Sequence, residues 1–215
     1  MKKNIYFKIK GGIQLVNELK YSSGLNGATF LIYELKQVIK LKLEGYSDKE
    51  IRHRAIEENI FQFNNKGRIT RVMPSIMRRA KVLDSFLGEA FLNRNIETSN
   101  AINLYTIMKT DLIFSEFMIE VVGERFKEGN YFLNKKDMNI FFRDKAEQSE
   151  IVSGWSDINI EKLKRAMLTV LFEAGILIKR KQEEIKPLIL DEDLKQHLKD
   201  IGDEQYIKAL GDYII

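Results

Sequence analysis

Apolar side chains recur at helical spacing along most of this chain. From Ala28 to Glu44, Phe30, Leu31, Leu35, Val38 and Leu41 share a face, and Gly45 stops the run. Ser47-Asp48-Lys49-Glu50 has the form of a capping box, with serine oxygen and glutamate each satisfying an N–H at a helix start. It predicts a short helix to about Glu58. After the loop Asn64-Asn65-Lys66-Gly67, the residues Ile69, Met73, Ile76, Ala80 and Leu83 define a third buried stripe. Pro74 lies within that stripe and lacks a backbone donor, so the third helix either starts near Met73 or is kinked there. Helix, short helix, loop, helix is the order of a helix-turn-helix.

The same spacing predicts helices over Ser99 to Lys109 and over Leu112 to about Lys127. Asp111 caps the second of these, and Gly129-Asn130 ends it. A short extended piece, Tyr131-Phe132-Leu133, precedes a helix capped at Asn134-Lys135-Lys136-Asp137 that carries Met138, Phe141, Phe142 and Ala146 inward. Ser156 or Asn159 caps a long helix to Ala174, with Ile160, Leu163, Met167, Val170 and Ala174 buried and Gly175 closing it. Ile176-Leu177-Ile178 and Ile185 to Leu190 read as two strands joined by a charged hairpin, Pro187 being tolerable on an edge. Helix, strand, helix, helix, strand, strand is winged-helix topology. The segment from Asp191 to Ile215 is helical in pattern and acidic, with 3 Lys against 7 Asp and Glu.

Composition supports an all-α, mainly helical fold. The chain of 215 residues can bury a sizeable core, and two prolines permit long helices. Without cysteine there is no disulfide, thiolate metal site or cysteine nucleophile, and two isolated histidines offer no metal pair. This suits a reducing cytoplasm. The N-terminal residues lack a signal peptide's apolar core, and the most apolar stretch, Met167 to Ile178, is too short and too interrupted to span a bilayer. Catalysis has little to stand on. Neighbouring acids such as Asp191 and Asp193 point to different helix faces, and no phosphate-binding glycine loop or serine elbow occurs. No cofactor is expected.

Charge separates the chain into two parts. Residues 1–95 hold 18 Lys and Arg against 9 Asp and Glu, whereas residues 96–215 hold 17 against 22. These are the expected domains, a basic helix-turn-helix unit and a winged helix with an acidic tail, packed as one compact body. The 25 residues from Asn59 to Leu83 contain no acid but carry Lys66, Arg68, Arg71, Arg78, Arg79 and Lys81. Arg71, Arg78 and Lys81 lie opposite the apolar stripe, and Arg68 and Arg79 flank it. A solvated cationic face is the ordinary reading of such a helix. The absence of acids and of Glu-to-Lys pairs favours contact with the phosphates of double-stranded DNA. Lys162, Lys164 and Arg165, with Lys179, Arg180 and Lys181 at the wing tip, form a second, weaker candidate diluted by Glu161, Glu183 and Glu184. Trp155 is expected to plug the core between two helices, and His53 and His197 to be exposed bystanders.

Tyr21, Gly24-Leu25, Gly27, Glu34, Glu44-Gly45, Ile51-Arg52, Glu58-Asn59, Arg78-Arg79, Asp111, Trp155-Ser156-Asp157, Lys162-Leu163, Leu171 and Glu173-Ala174-Gly175 share an order and spacing. In these the chain resembles the small BrxA proteins of bacterial bacteriophage-exclusion (BREX) systems, over roughly residues 20 to 210. The specificity lies in the ordered set, since no single piece is a strong motif. The resemblance implies a non-enzymatic DNA-binding component with helix-turn-helix and winged-helix elements. It also implies a role in phage defence beside a methyltransferase, a large ATPase and a phosphatase-like protein. The alternative expectation is a scaffold that assembles such proteins through its winged-helix surfaces.

Overall fold

The structure is a computed structural model and describes residues 19–179 and 183–213. It is mainly helical. A 3-10 turn, Gly24–Gly27, precedes α1 (Ile32–Leu43), α2 (Asp48–Glu57), α3 (Lys66–Ala80), α4 (Ser85–Asn93) and α5 (Ile96–Thr110). Then come α6 (Leu112–Phe117), a π turn (Met118–Gly123), α7 (Glu124–Lys127), α8 (Lys135–Gln148) and α9 (Glu150–Ser153). The chain continues with α10 (Asp157–Ala174), α11 (Glu192–Asp200) and α12 (Glu204–Ala209). Among the described residues no helix is long and apolar enough to cross a membrane.

α5 is the hub. Its residues from Ala101 to Met108 are all buried, and it packs against α3, α4, α6 and α10. A helix covered on every side must also satisfy its polar groups internally. Asn103 Nδ2 donates to Phe30 O at 2.7 Å, Ser99 Oγ to Phe91 O at 2.9 Å and Thr106 Oγ1 to Asn103 O at 2.7 Å. The acidic tail closes over the same helix. Tyr105 OH donates to Asp203, Lys109 Nζ lies 2.9 Å from that carboxylate, and Leu194, Leu198 and Tyr206 are buried. His197 is half-buried and no bystander, since its Nε2 lies 2.7 Å from Asp84 Oδ2 and its ring stacks 4.4 Å from Phe86.

Local signals set most boundaries. The Ser47/Glu50 capping box forms in full, Ser47 Oγ accepting from Glu50 N. Asn134 and Asp137 form another, and Ser156, not Asn159, caps α10. Gly175 takes a left-handed conformation, φ 88°, at the end of α10, which a residue with a Cβ adopts only under strain. Of the two alternatives for Pro74, a start near Met73 is ruled out: α3 runs from Lys66 with Pro74 inside it.

Three features differ from the expectation. The expectation includes no helix at α4, which Asp84 caps by accepting from Leu87 N at 2.9 Å. The helix from Leu112 to Lys127 is interrupted by the π turn, where Gly123 meets the tail. A Cβ on Gly123 would sit 3.2 Å from Ala209 Cα, and Tyr213 OH donates to Gly123 O at 2.7 Å. An inserted residue frees a carbonyl for such a bond. Where two strands were expected, the described residues hold two isolated antiparallel bridges, Phe132 with Glu184 and Leu177 with Ile185. Backbone bonds Leu133 N to Glu183 O, Ile185 N to Tyr131 O and Lys186 N to Ile176 O join the three segments.

Asp111 caps α6 through Phe114 N at 3.1 Å. Part of the residue reaches solvent, but its carboxyl lies deep. Burial pushes its pKa up to about 6, opposed by the Phe114 hydrogen bond and by Arg79. A carboxyl raised in this way contributes stability below pH ~4 that is lost as pH rises toward ~6. Asn keeps the cap without the charge. Urea unfolding at pH 4.5 and 7 should therefore show wild type losing roughly 1–3 kcal/mol more than Asp111→Asn over that interval. Parallel profiles would mean that this carboxyl titrates normally.

Candidate nucleic-acid interface

α3 packs with Ile69, Val72, Met73, Ile76, Met77 and Ala80 inward, against α1, α2 and α5. Arg68, Arg71 and Arg78 are exposed on the far side. Arg68 lies over the Phe63 ring at 4.2 Å, and Arg78 Nη2 donates to Ser75 Oγ at 3.1 Å. Lys66 and Lys81 are exposed at the two ends, Lys66 4.0 Å from Glu57 and Lys81 3.5 Å from Asp48. Such exposed pairs are weak and leave both ammonium groups exchangeable.

Arg79 does not belong to this surface. It is 3% exposed, and its guanidinium donates to Phe30 O at 3.1 Å and Ala28 O at 2.5 Å, tying the chain that enters α1 to α3. Burial lowers its pKa to about 10, with Asp111 and Glu34 opposing, so it stays charged at neutral pH. A flanking position on a helical wheel does not reveal whether another segment covers it.

The second candidate set divides. Lys162 and Arg165 are exposed on α10. Lys164 turns to the opposite flank, where its Nζ donates to Asn139 Oδ1 and Glu161 Oε1, both at 2.6 Å, and lies 5.8 Å from the Phe142 ring centroid. It is a cross-brace to α8. Lys179 is exposed, while Arg180 and Lys181 lie outside the described residues. Trp155, expected as a core plug, is half-buried at the edge of the core.

The 3-10 turn Gly24–Gly27 joins the two sets. It packs on both α3 and α10. Asn26 Nδ2 donates to Asn159 Oδ1 at 2.8 Å, and a Cβ on Gly27 would lie 3.7 Å from Arg71 Cδ. Lys162 stands one helical turn beyond Asn159 on the same flank. Arg78, Arg71, the turn, Asn159 and Lys162 therefore follow one another across the surface. The sequence marks Gly24 to Gly27 only as a turn; nothing in it shows which helices the turn would touch.

The geometry is that of a small helical protein with a cationic surface. Residues 19–202 match the BrxA family profile. The chain is 41% identical, over 91% of its length and 98% of the relative's, to the BREX protein BrxA of Bacillus cereus strain H3081.97. It is 20% identical to the BREX protein BrxA of Paramagnetospirillum magneticum strain AMB-1, covering 88% of this chain and 95% of that one. A crystal structure of an uncharacterized protein from Magnetospirillum magneticum shares the fold, with a TM-score of 0.76 at 17% identity over 88% of this chain and 97% of that one. The chain belongs to the BrxA family.

Removing Arg79 should cost stability. Arg79→Gln orphans the Ala28 carbonyl and should lower unfolding free energy by roughly 2–4 kcal/mol, whereas Arg78→Gln should stay within about 0.5 kcal/mol of wild type. Equal small effects in urea would return Arg79 to the surface set.

Proposed function

We propose that this protein is a non-enzymatic, cytoplasmic component of a bacterial BREX phage-defence system that binds double-stranded DNA, mainly through phosphate contacts. The observation that carries the reading is the placing of two exposed cation pairs, Arg78 with Arg71 on α3 and Lys162 with Arg165 on α10, on either side of the neutral Gly24–Gly27 turn that packs on both helices. The α3 part is acid-free. The first turn of α3 also places Lys66 and Arg68, with no acid, beside the positive end of the helix dipole. Asn65 caps that end by accepting from Gly67 N, and the two cations, disfavoured beside the dipole's positive end, gain by meeting a phosphate there.

In this reading α1 to α3 serve as a helix-turn-helix with α3 facing the duplex. The pieces at 131–133, 176–178 and 183–186, with α8 and α10, serve as a winged helix. Arginines and lysines neutralise phosphates and release counterions, and residues near the start of α3 are placed to reach base edges. The relatives' shared BREX name supports the defence role. A scaffold for other defence proteins, such as the methyltransferase, ATPase and phosphatase-like components, is the second reading. Exposed Tyr131, Phe132 and Ile178 around the bridged segments favour it.

Binding to random duplex DNA across a salt series separates the two. With about four phosphates engaged, log K should fall against log salt with a slope near −3.6. Reversing Arg68, Arg71 and Arg78 to Glu should abolish binding, and reversing Lys162 and Arg165 should weaken it and flatten the slope by about two phosphates' worth. Salt-insensitive binding, or full affinity in the folded triple variant, would favour the scaffold.

A further inference from the structure

Between the π turn, α7 and α8 lies a cleft of about 380 Å³. That is near the small end of ligand-sized pockets, with room for a few side chains. Its floor is apolar, including Val121, Ile140 and Phe141, and its lining carries five carboxylates against two cations. Both cations are already engaged. Lys145, 3% exposed, is shared between Glu116 at 2.9 Å and Glu120 at 2.6 Å, and Arg125 holds Asp137 at 2.6 Å. Glu124, Glu128 and Asp144 stand at the rim, about half exposed or more. Glu124 pairs with Lys127 and Asp144 with Arg143, exposed pairs that compete weakly with a better-placed cation.

A cationic segment of the same chain starts beside this cleft. Tyr21 OH donates to Glu116 Oε2 at 2.8 Å, the oxygen that also holds Lys145. The start of the described chain is therefore tied, through Glu116, to the Lys145 that lines the cleft. Residues 1–18, outside the described residues, contain Lys2, Lys3, Lys8 and Lys10 against Glu18, with Phe7 and Ile9 interleaved among the lysines. The stretch from Tyr21 back to Lys10 can span up to about 35 Å, well beyond what the cleft requires. An acidic rim over an apolar floor complements lysines alternating with apolar side chains, and it repels phosphate. We infer that this cleft is the docking site of the chain's own segment 1–18, its lysines meeting Glu124, Glu128 and Asp144 and Phe7 or Ile9 meeting the floor.

The full-length chain tests this by carbodiimide cross-linking, which joins ammonium groups to carboxylates in contact, and by limited trypsin digestion. Cross-links should join Lys2, Lys3, Lys8 or Lys10 to Glu124, Glu128 or Asp144. Cleavage after Lys8 and Lys10 should be about tenfold faster in Glu124→Gln/Glu128→Gln/Asp144→Gln, the population shift expected from losing three exposed ion pairs. A variant with the three carboxylates intact and Phe7→Ser should also be cut faster, since it loses the contact with the floor. Equal cleavage in all proteins, or cross-links from these lysines only to the tail carboxylates, would overturn the inference. Cross-links joining isotopically labelled to unlabelled chains in a mixture would overturn it as well, by placing the segment on a second copy. None of these outcomes depends on DNA binding.

Discussion

The buried guanidinium of Arg79 is the constraint on which the arrangement of the basic surface depends. Ala28 and Phe30 present carbonyls to the interior just before α1, where Leu31 takes the left-handed conformation at φ 48° and no side chain caps the helix. Backbone acceptors buried in this way must be paired or they destabilise the fold. Arg79 pairs both, and Asn103 of α5 adds a second donor to Phe30. One side chain from α3 and one from the hub thus fix the entry to α1. With Arg79 drawn inward, the helix is held in the rotation that leaves Arg68, Arg71 and Arg78 facing out.

The same contact links the fold to its electrostatics. Asp111 caps α6 near Arg79, and each moderates the other's burial. A buried charge is tolerable when paired and hydrogen-bonded, and costly otherwise. Among the described residues the exposed arginines of α3 show no ion pair, Arg78 bonding only Ser75 and Arg68 lying over Phe63, and their charge is available to a ligand. Two residues adjacent in sequence, Arg78 and Arg79, therefore do opposite jobs.

What the sequence made legible was local. Ser47 with Glu50, Asn134 with Asp137, and Gly175 act through neighbours within one turn, so spacing alone was enough to place them. Asp84 carries the same kind of signal for α4, accepting from Leu87 N three residues on. What stayed hidden depends on contacts between distant residues: the carbonyls that Arg79 meets, the brace from Lys164 to Asn139, and the link from Asn26 to Asn159. The short pieces near Phe132 and Leu177 read as strands because their residues suit a pleated surface. The chain there pairs for only a residue or two, which β propensity does not predict.

The acidic C-terminal segment has a consequence for where the molecule can be cut. Leu194, Leu198, Tyr206 and Leu210 lie against Leu87, Ile102 and Tyr105, and Ala209 rests on Gly123 where no side chain would fit. Acidic in composition, the segment nevertheless forms the last wall of the interior. A chain ending before Asp191 would leave its central helix open to water along one side. The smallest self-sufficient unit of this protein therefore includes the segment at least as far as Tyr213, whose hydroxyl holds Gly123 O.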